Sequence, residues 1–223
     1  MEIKPIAYIK NDFTSKFAVP RQSGIAEIES EIIFEKQYCD ENAVRGIEDF
    51  SHLWLIWGFS ENVRDNHSLT VRPPRLGGNT RMGVFATRSP FRPNNLGLSS
   101  VELIKSEFKN GVLSLTVRGA DLISGTPIYD IKPYIKYSDC HEDAVSGFAD
   151  KREFPLLEVE FCNGTQNKIP KDKMKTLITV LENDPRPAYH NEDGRSYGFS
   201  FAEYEIKFTV EKNTLKVYGI YDK

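Results

Sequence analysis

Through the first 140 residues, apolar positions come in short runs or alternate with polar ones, and glycine, proline and asparagine interrupt them before a helical period can build. Alternation of this kind is the period of a strand with one face covered, so this part of the chain reads as all-β. Residues 6–9 and 25–34 predict two strands, the second alternating imperfectly. Leu53-Trp54-Leu55-Ile56-Trp57 is apolar throughout, as expected of a strand covered on both faces or central in a barrel. The segment 42–50 has room for one or two helical turns, and 84–87 is a short apolar piece. Residues 98–108 and 112–117 predict a hairpin turning on Asn110-Gly111, two residues that tolerate positive φ.

The pattern changes beyond residue 140. Residues 139–153 are polar, carry Gly147 and suit a linker, and 156–161 predict a strand. Over 171–182 Met174, Leu177, Ile178 and Leu181 fall at i, i+3, i+4 and i+7, the apolar stripe of a helix, which Asp184-Pro185 stops. Tyr204, Ile206, Phe208 and Val210 then alternate, Lys212-Asn213-Thr214 turns, and Leu215, Val217 and Tyr221 return. Two units are expected: an all-β one over 1–140, and a small α+β one over 154–223 built of one helix plus a hairpin. A chain of 223 residues that is 39% apolar can bury one sizeable core or two modest ones.

No stretch approaches the roughly 18 apolar residues of a membrane helix, and the first twenty lack a basic-then-apolar leader, so a cytoplasmic protein without a membrane partner is expected. Cys39, Cys140 and Cys162 are odd in number and widely spaced, as free thiols in a reducing compartment would be. His67, His141 and His190 sit in polar stretches without ligand spacing, and no metal is expected. A net charge of −3 argues against a nucleic-acid binder held by bulk charge. Against that background Arg72, Arg75, Arg81, Arg88 and Arg92 crowd into one segment with no carboxylate among them.

That segment, residues 72–100, reads RPPRLGGNTRMGVFATRSPFRPNNLGLSS. Its prolines stiffen it and its glycines permit positive φ or close backbone approach. Guanidinium groups offer planar forks of donors to carboxylate or phosphate, so the segment suits an anionic small molecule, a nucleic acid, or both; the structural alternative is a hydrogen-bonded loop closing a barrel. Together with FAVPRQ at 17–22, AVRGIEDFSHLWLI at 43–56, TVRPPRLGGNTRMGVFATRSPFRPNNLGLS at 70–99, GTPIYDIKPYI at 125–135 and DPRPAY at 184–189, it resembles the TsaA/TrmO (YaeB-like) family across nearly the whole chain.

The resemblance implies a mainly β fold, with a single-sheet antiparallel β-barrel at 1–140 as the methyltransferase domain. It implies a homodimer that uses S-adenosyl-L-methionine to methylate N6 of N6-threonylcarbamoyladenosine at position 37, in the anticodon loop of threonine tRNA. There is no Rossmann-type GxGxxG segment, consistent with a cofactor site of another kind. By family match, Gln22, Ser23, Gly24, Phe59, Ser60, Arg88, Leu98, Asp121, Leu122, Ser124, Gly125 and Thr126 are the expected cofactor contacts. Arg88, Arg92, Asn94 and Asp130 are the expected catalytic group, with Asp121, Tyr129 and His52 as further candidates to take the N6 proton. Arg72, Arg75, Arg81, Lys132, Arg186 and Tyr189 are expected against tRNA. Two positions depart from the family pattern: Asn95 stands where a proline is usual, and Ser124 where an aspartate is usual. A non-catalytic RNA-binding barrel and a methyltransferase of small molecules are the competing readings.

Overall fold

The computed structural model describes residues 2–17, 19–62, 68–73, 76–150, 155–186 and 192–223. The expected barrel is present and closed. Its strands are β1 (Ala7–Lys10), β2 (Glu29–Phe34), β3 (His52–Gly58), β6 (Leu96–Lys109), β7 (Val112–Arg118) and β8 (Pro127–Pro133), in the spatial order β1-β2-β7-β6-β3-β8. Every pairing is antiparallel, and Ala7 stands between Phe34 on one side and Ile128 on the other, which joins the first strand to the last and leaves no edge. Alternate residues fill the interior: Ile9, Ile32, Leu53, Leu55, Val101, Leu115, Val117 and Ile128 are all essentially inaccessible. Between β3 and β6 lie two short paired strands, β4 (Thr70–Val71) and β5 (Met82–Gly83).

The β6–β7 hairpin turns where expected, with Asn110 and Gly111 both at positive φ. Residues 42–50 fall within a set of three short 3-10 turns, at Lys36–Tyr38, Glu41–Val44 and Ile47–Asp49. Val84–Ala86 is also a 3-10 turn and not a strand.

A four-residue helix α1 (Lys136–Asp139) leads out of the barrel. The second unit is richer than one helix and a hairpin. Its sheet, in the order β10-β11-β12-β9, consists of β9 (Glu158–Phe161), β10 (Ser196–Phe201), β11 (Tyr204–Glu211) and β12 (Thr214–Asp222), with β9 parallel to β12. Helix α2 (Lys171–Glu182) buries Thr176, Leu177, Val180 and Leu181, so the buried stripe is rotated from the expected one and leaves Met174 and Ile178 half-buried.

The core under α2 is not contributed by the second unit alone. Phe13, Ala26 and Ile28, from the excursion between β1 and β2, are buried in it, and Phe17 and Val19 pack against it. Phe13 lies 6.3 Å from Phe201 and Phe17 lies 6.2 Å from Phe199, ring centre to ring centre. Ion pairs clamp the same excursion to α2, Lys173 Nζ to Asp12 Oδ2 at 2.6 Å and Lys175 to Glu27. Residues 11–28 thus leave the barrel sheet to serve as the joint between the units. Among the described residues no helix is long and apolar enough to cross a membrane.

Candidate active site

The joint leaves a cleft of about 2090 Å³ between one flank of the barrel, the arginine-rich loop and the end of α2. It is lined by Gln22, Phe59, Ser60, Leu98, Asp121, Leu122 and Thr126 together with Arg72, Arg81, Arg88 and Arg92. Pro155, Leu156 and residues 183–186 close its far end.

The arginine loop is held by its own hydroxyls. Thr87 Oγ1 donates to Val84 O at 2.9 Å and accepts from Ser89 N, and Ser89 Oγ accepts from Phe91 N. These short bonds replace strand pairing in a stretch whose prolines and glycines cannot sustain a ladder. Arg92 closes the loop from within: its Nη1 donates to Thr87 O at 2.8 Å and its guanidinium lies over the Phe85 ring. Arg88 instead reaches across the cleft wall and donates to Gln22 Oε1.

Gln22 begins the turn that carries Ser23 and Gly24. Gly24 has φ of 80° and donates its N–H to Gly119 O at 2.8 Å, while a Cβ on Gly119 would meet Gly24 Cα at 3.3 Å. The turn therefore rests directly on the strand end that leads to Asp121. Asp121 is largely buried, and burial pushes its carboxyl pKa upward. Hydrogen bonds from the Ser99 hydroxyl and the Ser23 N–H and the charge of Arg88 oppose that rise without cancelling it. Ser99 Oγ lies 2.5 Å from Asp121 Oδ1 and itself accepts from Trp57 Nε1 at 2.9 Å. An anion held in a largely desolvated wall, with a cation nearby, can take a proton or receive a positively charged ligand.

Several expected residues lie elsewhere. Asp130 is on the outer wall of the barrel, paired with Lys132 at 3.1 Å, and neither lines the cleft. The reason is register: Asp130 pairs with Ile56, and both point away from the side that Leu55 and Trp57 fill. Asn94 is exposed beside the loop and does not line the cleft. Ser124 and Gly125 tie the barrel end together, the Ser124 N–H to Phe13 O, the Gly125 N–H to Ile9 O, and Ser124 Oγ accepting from Asn11 N. Position 124 is thus spent on the joint and does not offer its side chain to the cleft. Arg186 lines the cleft, but its guanidinium is only 11% exposed and forks onto Asp184, Nε to Oδ1 and Nη2 to Oδ2, both at 2.8 Å. Of the other proton-acceptor candidates, His52 is exposed and bonded to Ser51 Oγ, and Tyr129 packs its ring over Gly58. Arg75 and Tyr189, with His67 and His190, lie outside the described residues. Among the described residues no three His, Cys, Asp or Glu side chains are grouped as metal ligands would be.

Ser99 and Trp57 were not among the sequence candidates. The signal for Ser99 was a polar residue at the inward position of an alternating strand, where a satisfied partner has to be found.

Comparison with known proteins decides the family. The model for the tRNA-methyltransferase O N-terminal domain matches residues 8–140, and the TrmO C-terminal domain model matches residues 155–223. The chain belongs to the tRNA-methyltransferase O family. Within it, the chain is 36% identical to the tRNA (adenine(37)-N6)-methyltransferase of Escherichia coli K12, over 98% of this chain and 97% of that one. It is 39% identical to a putative S-adenosylmethionine-dependent methyltransferase, RcsF, of Pseudomonas aeruginosa, over 92% of this chain and 90% of that one. The crystal structure of TrmO from Pseudomonas aeruginosa superposes with a TM-score of 0.81 at 29% identity, covering 100% of this chain and 97% of that chain. Family membership thus spans barrel and second unit alike.

Proposed function

We propose that the cleft binds S-adenosyl-L-methionine beside Asp121, Arg88 and the Gln22–Ser23–Gly24 turn, and that the chain methylates N6 of N6-threonylcarbamoyladenosine at position 37 of threonine tRNA. That it is an S-adenosylmethionine-dependent tRNA methyltransferase follows from its family; the modified base, the threonine isoacceptors, a homodimeric assembly and a cytoplasmic setting are the finer part of the proposal. The two domains are proposed as 1–140 and 154–223, with the excursion 11–28 shared between them.

The residues present fit the donor. It carries an ammonium, a carboxylate, a sulfonium and an adenine, and the cleft wall offers the Asp121 carboxylate, the Arg88 guanidinium and the apolar surfaces of Phe59, Leu98 and Leu122. When bound, S-adenosylmethionine supplies an electrophilic methyl group whose departure needs neither acid nor metal. What is left for the protein is placement and the fate of one proton. N6 of the acceptor lies between a purine and a carbonyl and is a poor nucleophile while it keeps its hydrogen. Of the four carboxyl, phenol and imidazole candidates, Asp121 is the one the fold brings to the cleft, and we assign it acceptance of the N6 proton. Arg88, steadied by Gln22, is assigned a carboxylate of the donor or of the threonyl group. Arg72 and Arg81, on the cleft rim, are assigned to the anticodon-loop backbone.

The observation that carries this reading is the largely buried carboxylate facing the arginine-lined cleft. The test is mass spectrometry of threonine tRNA bearing the threonylcarbamoyl group, digested after incubation with the protein and S-adenosylmethionine. A gain of one methyl on the modified adenosine, lost in Arg88→Ala, is expected. Donor binding without that gain would point to another acceptor.

A further inference from the structure

A short hydrogen-bonded chain runs from the barrel interior to the cleft. Gly97, Ser99 and Val101 are successive inward positions of β6, and Ser99, 1% exposed, is the polar one. Across the β3–β6 pair Trp57 stands opposite Gly97. A Cβ at position 97 would lie 2.3 Å from the Trp57 Cε2 atom, so glycine leaves the indole its seat. The Phe59 ring packs 4.3 Å from the indole centre, and both rings line the cleft. From this seat Trp57 Nε1–H donates to Ser99 Oγ at 2.9 Å, and the Ser99 hydroxyl donates to Asp121 Oδ1 at 2.5 Å. A hydroxyl that accepts from an N–H is polarised toward donation, and a hydroxyl–carboxylate bond this short belongs to the charge-assisted kind.

We propose that Trp57 and Ser99 are positioning residues for methyl transfer: the relay Trp57 to Ser99 to Asp121 anchors one carboxylate oxygen in the barrel wall and so fixes the Asp121 carboxylate in the lining of the cleft. The inference rests on the assignment of Asp121 as proton acceptor. Asp121 faces the Ser99 hydroxyl from β6, the Ser23 N–H from the turn, and Arg88 from the arginine loop as the charged neighbour. Among the described residues Trp57 and Asp121 are the side-chain partners of the Ser99 hydroxyl at this inward barrel position.

The test uses the full chain with threonylcarbamoylated threonine tRNA. Single-turnover methyl transfer is followed from acid to neutral pH for the wild type, Ser99→Ala, Ser99→Thr and Trp57→Phe, with donor binding by calorimetry and Tm measured over the same range. The rate is expected to fall on the acid side as Asp121 takes up its proton. Ser99→Ala removes a bond that favours the charged form, so the midpoint of that fall moves up by about one pH unit and the rate at the wild-type midpoint drops about fivefold. Donor affinity changes by less than about threefold, Trp57→Phe moves the midpoint the same way by less, and Ser99→Thr restores both. Independently of turnover, the pH at which Tm changes slope moves up in Ser99→Ala. A folded Ser99→Ala with an unmoved midpoint, or with rate and donor affinity falling together at every pH, overturns the relay. Should Ser99→Ala not fold, an unmoved midpoint in Trp57→Phe overturns it equally. A wild-type chain that transfers no methyl group overturns the function reading and the relay together, whereas an active wild type with unmoved variants overturns the relay alone.

Discussion

Asn95 has φ of 31°, donates its N–H to Arg92 O and accepts at its carbonyl from Phe59 N at 2.9 Å. A proline, which the family pattern favours there, is locked near −65° and has no N–H to give. Asn95→Pro is therefore expected to destabilise the chain by more than about 1 kcal/mol and to loosen the Phe59 wall, read as a lower Tm and weaker donor binding. A rise in Tm would mean the loop can adopt the proline path. At Asp121 the sign is different. Burial raises its folded pKa above the ordinary 3.8, so the folded chain binds this proton more readily than the unfolded one. The ionised carboxylate is thus a cost at neutral pH, relieved as pH falls through the raised folded value toward the unfolded one. Asp121→Asn should leave Tm at pH 7 equal or higher while slowing methyl transfer by roughly 10²- to 10⁴-fold; a lower Tm would show that the bonds from Ser99 and Ser23 outweigh burial. Arg88 was legible as a candidate because charge in a stiff glycine-proline segment is unusual, Gln22 because a family motif covers it, and Asp121 because it lies just before the motif at 125–135. Ser99 was not: it closes the long arginine-rich motif beside Ser100, where nothing in the sequence separates the two hydroxyls, and its partner Trp57 reads as core.

At the scale of elements, local periodicity did well where neighbours in sequence are neighbours in space. The β6–β7 hairpin and α2 are of this kind. It failed at β10, whose inward Tyr197, Phe199 and Phe201 alternate cleanly but are diluted by Ser196, Gly198 and Ser200. It also gave no hint that β1 closes on β8, a pairing that joins Ala7 to Ile128. The sharing of one core between units was equally hidden, because Ala26 and Ile28 fall in the imperfectly alternating stretch 25–34 that reads as a single strand, and Phe13 lies between the two expected strands. This has a direct consequence for stability. Phe13 is fully buried against Phe201, although it is 188 residues away in the chain. Phe13→Ala should cost about 3–5 kcal/mol. Denaturant unfolding followed in the second unit should show the loss. If only the barrel is weakened, the excursion 11–28 is a barrel appendage and not the joint.

For the molecule as a whole, the question is how a chain of net charge −3 holds a polyanion. Bulk attraction is absent, so binding has to come from the local field of the cleft, which Arg72, Arg81, Arg88 and Arg92 line. These four are not equivalent. Arg92 is half-buried and engaged with the carbonyls of its own loop, whereas Arg72, Arg81 and Arg88 are exposed, Arg88 with a bond to Gln22. Each phosphate neutralised on a single-stranded loop contributes about −0.7 to the slope of log K against log salt. Arg72→Gln and Arg81→Gln should each flatten that slope by about this amount and weaken tRNA binding uniformly across isoacceptors, with donor affinity unchanged. Arg92→Gln should instead lower Tm and disturb donor binding and tRNA binding together, because the loop itself loses its closure. Fluorescence titrations of tRNA at several salt concentrations, beside calorimetry with the donor, separate the two behaviours. Equal flattening by all three variants would mean that the loop opens on tRNA and gives up its internal bonds, making the arginine segment a moving clamp instead of a preformed rim.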